Sequence, residues 1–106
     1  MQIQAEEPAF IIVSELAIDP AGAPTLEAAF RSRLGAVEGA PGFGRLEVWR
    51  DLRHAGRYTM ASWWRDAADL RAYLRSDAHR SSHERVPTHP ARPRAVSLRR
   101  YELVAR

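Results

Sequence analysis

Phe10-Ile-Ile-Val-Ser-Glu-Leu-Ala-Ile18 decides how the rest of this chain is read. It is rich in β-branched residues and ends at Asp19-Pro20, so it reads as a strand running into a turn. A strand alternates its side chains, so Phe10, Ile12, Leu16 and Ile18 point one way and Ile11, Val13 and Ala17 the other. Both faces of this strand are therefore apolar.

The next segment opens at Pro24-Thr25 and repeats Leu26, Phe30, Leu34 (or Arg33) and Val37 at helical spacing, with Gly39 as its stop. Phe43 to Arg50 and Arg57 to Trp64 read as two strands joined by the short loop Asp51 to Gly56, which predicts an antiparallel hairpin. Asp66 is placed to cap a second helix with Ala67, Leu70, Tyr73 and Leu74 on its buried stripe. Ser76 is the next cap, Asp77 suits a helix N-terminus, and Pro87 and Pro90 end what starts there. After the proline-rich connector 86–93, Ala95 to Val104 supplies a last strand. The order β-α-β-β-α-β predicts an α+β, ferredoxin-like protomer with a four-stranded antiparallel sheet and helices on one face. The hairpin's second strand is two-faced like the first, with Tyr58, Met60 and Trp64 opposed to Ala61 and Trp63. A chain of 106 residues has no spare elements to cover the second face. A second copy is the economical cover, and a symmetric homodimer is expected.

Length and composition predict one domain over 1–106, with the acidic start 1–8 flexible. No apolar run reaches the roughly 20 residues of a membrane span, and the start lacks the basic and apolar regions of a signal peptide, so a cytoplasmic protein without a membrane partner is expected. The absence of Cys excludes disulfides, iron–sulfur clusters and thiolate zinc sites. The net charge is +3, and all basic residues are Arg, dispersed among acids. That pattern fits GC-rich coding and supplies no stripe for nucleic acid. An RNA-recognition module shares the element order, but Gly56 to Trp63 lacks its aromatic pattern.

His79 and His83 share a helix face at i and i+4, with Glu84 or Asp77 near enough in sequence to add a carboxylate. Arg80 follows His79 where a zinc-protease signature requires Glu, so that metal site is not expected.

Pro41-Gly-Phe43, Glu47-Val48, Tyr58 to Trp64, Ala72-Tyr73-Leu74 and Ser76-Asp77 to His83 together resemble the antibiotic biosynthesis monooxygenase family of dimeric α+β barrels, and within it the bacterial haem-degrading monooxygenases. The resemblance runs from about Phe10 to Val104 and implies a ligand pocket between helices and sheet, the other sheet faces forming a shared barrel.

It also implies two chemistries, needing either haem or no cofactor. In haem-degrading members a His after the second helix ligates iron, a Trp on that helix distorts the porphyrin, and an Asn on the first strand stabilises bound oxygen. His83 matches the His and is the metal ligand under this alternative; Tyr73 stands at the Trp, and Ser14 or Glu15 at the Asn. In cofactor-independent members, which oxidise aromatic polyketides, an Asn and a Trp late in the third strand hold the substrate. Trp64 matches the Trp and Met60 replaces the Asn. The ligand expected is thus a small aromatic metabolite or haem, turned over or only held. Phe30, Leu70, Tyr73 and Val13 are expected apolar walls. Ser14 is a hydrogen-bond donor or a small core residue, His83 or His79 a base, and Arg71 or Arg75 an orienting group. Trp63 is expected to pack.

Overall fold

The computed structural model describes residues 9–32, 37, 39–76 and 92–106. The elements run β1 (Phe10–Ala17), a 3-10 turn (Pro20–Gly22), α1 (Ala23–Ser32), β2 (Phe43–Arg50), β3 (Arg57–Trp64), α2 (Ala67–Leu74) and β4 (Arg94–Glu102). All four strands form one antiparallel sheet in the order β2-β3-β1-β4, the ferredoxin-like arrangement.

Local chemistry explains the bounds. The Asp19 side chain accepts from the Ala21 N–H, and Pro20 occupies the first position of the 3-10 turn, where its missing donor costs nothing. Asp66 caps α2 by accepting from the Asp69 N–H at 2.9 Å. Gly56 holds φ +81° and passes against the Ile18 carbonyl, where a β-carbon would lie 2.1 Å from the oxygen.

In three places the structure corrects the expected elements. Described α1 ends at Ser32, and Val37 lies in a bend whose carbonyl accepts from the Ala40 N–H. Val37 is buried against Trp64, Leu70 and Tyr73, away from Leu26 and Phe30, with which its spacing had grouped it. Leu74, expected on the buried stripe of α2, is 46% exposed. An eight-residue helix turns only a narrow face to the sheet, and Leu70 and Tyr73 fill it. The acidic start 1–8, Arg33, Leu34, and the segment carrying Asp77, His79, His83, Pro87 and Pro90 lie outside the described residues.

The helix-facing side of the sheet carries two core clusters. One gathers Ile18, Leu26 and Tyr58 with Leu16, Phe30 and Val48; the other gathers Val37, Trp64, Leu70 and Tyr73 with Phe10, Ile12, Phe43 and Leu46. Among the described residues no helix is long and apolar enough to cross a membrane.

Candidate functional site

Between the two clusters runs a seam. In β1 and β3, Ser14 stands opposite Met60, and Ile12 opposite Ser62. Ser14 and Met60 are half-buried and belong to neither cluster. Leu98 of edge strand β4 pairs with Ser14 from the other side and is 59% exposed. A hydroxyl is therefore set among apolar side chains that the helices leave partly uncovered, the composition of a site for an apolar ligand with one polar atom.

The expected site residues fall on both sides of this seam. Phe30 lies in the first cluster, its ring 6.2 Å from that of Tyr58. Leu70, Tyr73 and Trp64 lie in the second, where Tyr73 packs on Trp64 at 5.4 Å with 35° between planes, and Phe43 meets Trp64 edge-on at 5.5 Å. Trp64 is 1% exposed and its indole N–H donates to Ser62 Oγ at 2.9 Å. Its polar handle is thus spent inside the core, which sets the ring as packing. Arg71 and Arg75 are exposed. His79 and His83 lie outside the described residues.

Two expected site residues are on the wrong face. Val13 pairs with Ala61 and Arg99, and Glu15 with Thr59 and Ser97, all on the sheet side away from the helices. A one-residue step along a strand reverses the face, so Ser14 and Glu15 cannot both reach the seam, and Ser14 does. Glu15 instead borders a cleft of about 160 Å³ at the hairpin end of the sheet with Asp51, His54, Arg57, Tyr58 and Thr59.

Two charged groupings were missed in the sequence. The Glu27 carboxylate takes hydrogen bonds from Arg50, Nε at 2.8 Å, and from the Tyr58 hydroxyl, with Arg31 at 3.5 Å. The Arg50 and Tyr58 hydrogen bonds hold its pKa at about 2. Burial, followed by the bond to that carboxylate, pushes Tyr58 above the usual phenol range. The signal was present, because Tyr58 shares the helix-facing side with Met60, but Glu27 lies 31 positions away.

On the outer face, the Arg45 guanidinium sits 3.7 Å over the Trp63 ring. Trp49 meets Trp63 edge-on at 6.4 Å. Glu47 accepts from Arg45 Nε at 3.1 Å and Trp49 Nε1 at 3.0 Å. Ile11, Val13 and Ala61 share this face, and Tyr101 pairs with Ile11 across β1 and β4.

The fold and site can be compared with known proteins. A family profile for antibiotic biosynthesis monooxygenases matches residues 9–85. A staphylobilin-producing heme oxygenase of Staphylococcus haemolyticus is 27% identical over 78 residues, 71% of this chain and 73% of the relative. The structure of the heme-degrader MhuD of Mycobacterium tuberculosis, with two hemes bound in its active site, is 25% identical and superposes with a TM-score of 0.75 over 92% of this chain and 97% of that one. SnoaB, a cofactor-independent oxygenase of Streptomyces nogalater, shares the fold at 18% identity, with a TM-score of 0.69 over 93% of this chain and 94% of that one. With most of its length matched by the family profile, and its sheet and helices by these structures, the chain belongs to the antibiotic biosynthesis monooxygenase family.

Proposed function

We propose that this chain is a small oxygenase that binds an aromatic or polycyclic metabolite between its helices and sheet, over Ser14 and Met60, and that it works as a homodimer in the cytoplasm. The observation that carries this reading is the hydroxyl of Ser14 in a half-buried apolar seam. An electron-rich phenol, once deprotonated, passes an electron to oxygen by itself. The protein then has three tasks: to exclude water, to hold the ring and to stabilise the anion. Phe30 and Leu70 flank the ring from the two clusters, Ser14 donates to its oxygen, and His83 or His79 removes the proton. The outer face with Ile11, Val13, Trp49, Trp63 and Tyr101 is the surface the second copy covers.

A second reading is favoured by the two relatives at 25% and 27% identity, both of which act on heme. Among the described residues the only imidazole is His54, at the hairpin cleft rather than the seam. Among the described residues the seam therefore offers no imidazole, and under this reading His83 would hold the iron. Haem, when bound, would supply the iron that activates oxygen.

One experiment separates the two. The purified protein and a His83→Ala variant are titrated with haemin, and both are assayed for conversion of dithranol, an anthrone, to its quinone with one O2 consumed and one water released. Quinone formation above the buffer rate, reduced in His83→Ala, supports the first reading. A saturable Soret band abolished by the substitution, without quinone formation, transfers the function to haem. If neither occurs, both readings fall.

A further inference from the structure

We propose that Ser62 is a second ligand-binding residue of the seam, and that its hydroxyl and that of Ser14 together hold one ionised oxygen of the bound ring compound. The ligand class is then a phenol or an enol rather than a bare hydrocarbon. This rests on the oxygenase reading above for the ligand's place, and on separate observations for the residue.

Ser62 is a buried polar side chain, 8% exposed, on the helix-facing side of the central strand β3. Its neighbours across the sheet are Ile12 and Leu46, both half-buried, and two residues along its own strand is Met60, opposite Ser14. The two serines are thus diagonal neighbours on one face of adjacent strands, a separation that a single ligand atom can bridge. No residue between them on that face carries a polar side chain.

The hydrogen bonding of Ser62 is incomplete. A hydroxyl has one donor hydrogen and two acceptor lone pairs. The Trp64 indole N–H occupies one lone pair at 2.9 Å, but among the described residues no acceptor takes the Ser62 hydrogen. A buried donor without an acceptor is costly and rare, and it is explained when a ligand completes it. Accepting from an indole also polarises the O–H and strengthens it as a donor. Trp64 is itself immobilised between Phe43 and Tyr73, so Ser62 is oriented before a ligand arrives. Two oriented hydroxyl donors favour the charged form of a ligand oxygen, against the desolvation that the apolar surround imposes on it.

The test uses 4-nitrophenol, whose phenolate is coloured, as the probe. Its apparent pKa is measured in the presence of saturating wild-type protein, Ser62→Ala, Ser62→Thr, Ser14→Ala and Trp64→Phe. The wild type is expected to lower the probe's pKa by about one unit, a tenfold preference for phenolate over phenol. Ser62→Ala should abolish that preference. Ser62→Thr, which keeps the hydroxyl, should retain it, and Trp64→Phe, which removes the indole donor, should weaken it two- to threefold. If Ser62→Ala keeps the wild-type pKa shift and native near-ultraviolet circular dichroism, the hydroxyl serves only Trp64 and the assignment is wrong. Should Ser62→Ala unfold, failure of Ser62→Thr to lower the probe's pKa has the same force. Failure of 4-nitrophenol to bind the wild type also overturns the proposal, while the quinone assay decides the oxygenase reading independently.

Discussion

The hydroxyl of Tyr58 donates to the carboxylate of Glu27 and so fastens α1 to the start of β3 from within the first core cluster. Tyr58 is 3% exposed, so replacing it with Phe removes a hydrogen bond to a charged group without opening a cavity. The expected cost for Tyr58→Phe at pH 7 is about 1–3 kcal/mol, read from urea unfolding. The pH dependence follows from Glu27, whose pKa is lowered from 4.5 to about 2 by Arg50 and Tyr58. A lowered carboxyl stabilises the fold above its unfolded pKa, and that contribution disappears as the pH falls through the folded one. The gap between wild type and Tyr58→Phe should therefore narrow between pH 4.5 and pH 2; a gap that is constant or widens over that window contradicts the assignment.

Gly56 fixes the register of the hairpin against β1. Its carbonyl accepts from the Ile18 N–H at 2.8 Å, and its α-carbon lies so close to the Ile18 carbonyl that an added β-carbon would sit 2.1 Å from the oxygen. The obstacle is backbone and cannot swing aside, and φ +81° is strained for any L side chain. Gly56→Ala should lower stability by about 2 kcal/mol or more. Leu52→Ala in the same loop, at a side chain 92% exposed, should change it by less than about 0.5 kcal/mol. Equal urea midpoints for the two variants would refute the close approach.

The strands were legible because their signal is local. β-branched and aromatic alternation bounded by Asp51 and Gly56 places β2 and β3 at Phe43–Arg50 and Arg57–Trp64, as the structure has them. The helices were harder, since a period of 3.6 continues on paper as far as Val37, which lies in a bend. Val37 keeps helical spacing with Phe30 yet is buried in the other cluster. The site was legible only in part. Alternation shows that Ser14 and Glu15 face opposite ways, but the residues opposite each of them depend on pairing between strands more than 40 positions apart. Ser62 went unnoticed because its importance comes from the Trp64 indole that lands on it, a contact that spacing alone does not announce. The Arg45–Trp63 stack and the Glu27 cluster likewise join separate elements.

Ser14 should matter more to turnover than to stability. It is half-buried and lies outside both clusters, so Ser14→Ala should cost less than about 1 kcal/mol in urea unfolding. As a donor to the reacting oxygen it should lower kcat for quinone formation ten- to a hundredfold, with a smaller change in KM. Ser14→Thr, which retains the hydroxyl, should recover part of the rate. A rate loss matched by an equal loss of stability would instead make Ser14 a packing residue. Glu15→Gln, on the opposite face, is the paired comparison and should leave kcat within about twofold.

The outer face tests the homodimer. Trp63 lies near the end of the inner strand β3, with Arg45 over its ring and Trp49 at its edge, and Glu47 ties Arg45 to Trp49. The aromatic surface is therefore pre-ordered, which reduces the entropy lost when a partner packs on it. Trp49 and Tyr101 are 46% and 47% exposed in the single protomer, a large aromatic area for a side that neither described helix covers. Buried aromatic anchors of this kind contribute about 2–4 kcal/mol each, so Trp63→Glu should raise the dimer dissociation constant by more than a hundredfold, as a charge is also forced into the interface. Sedimentation at micromolar concentration should show wild type as a dimer and Trp63→Glu as a 12.0 kDa monomer with unchanged far-ultraviolet circular dichroism. Wild-type protein that sediments as a monomer would remove the partner from this face, and its aromatic ladder would then stand as an exposed surface of the single chain.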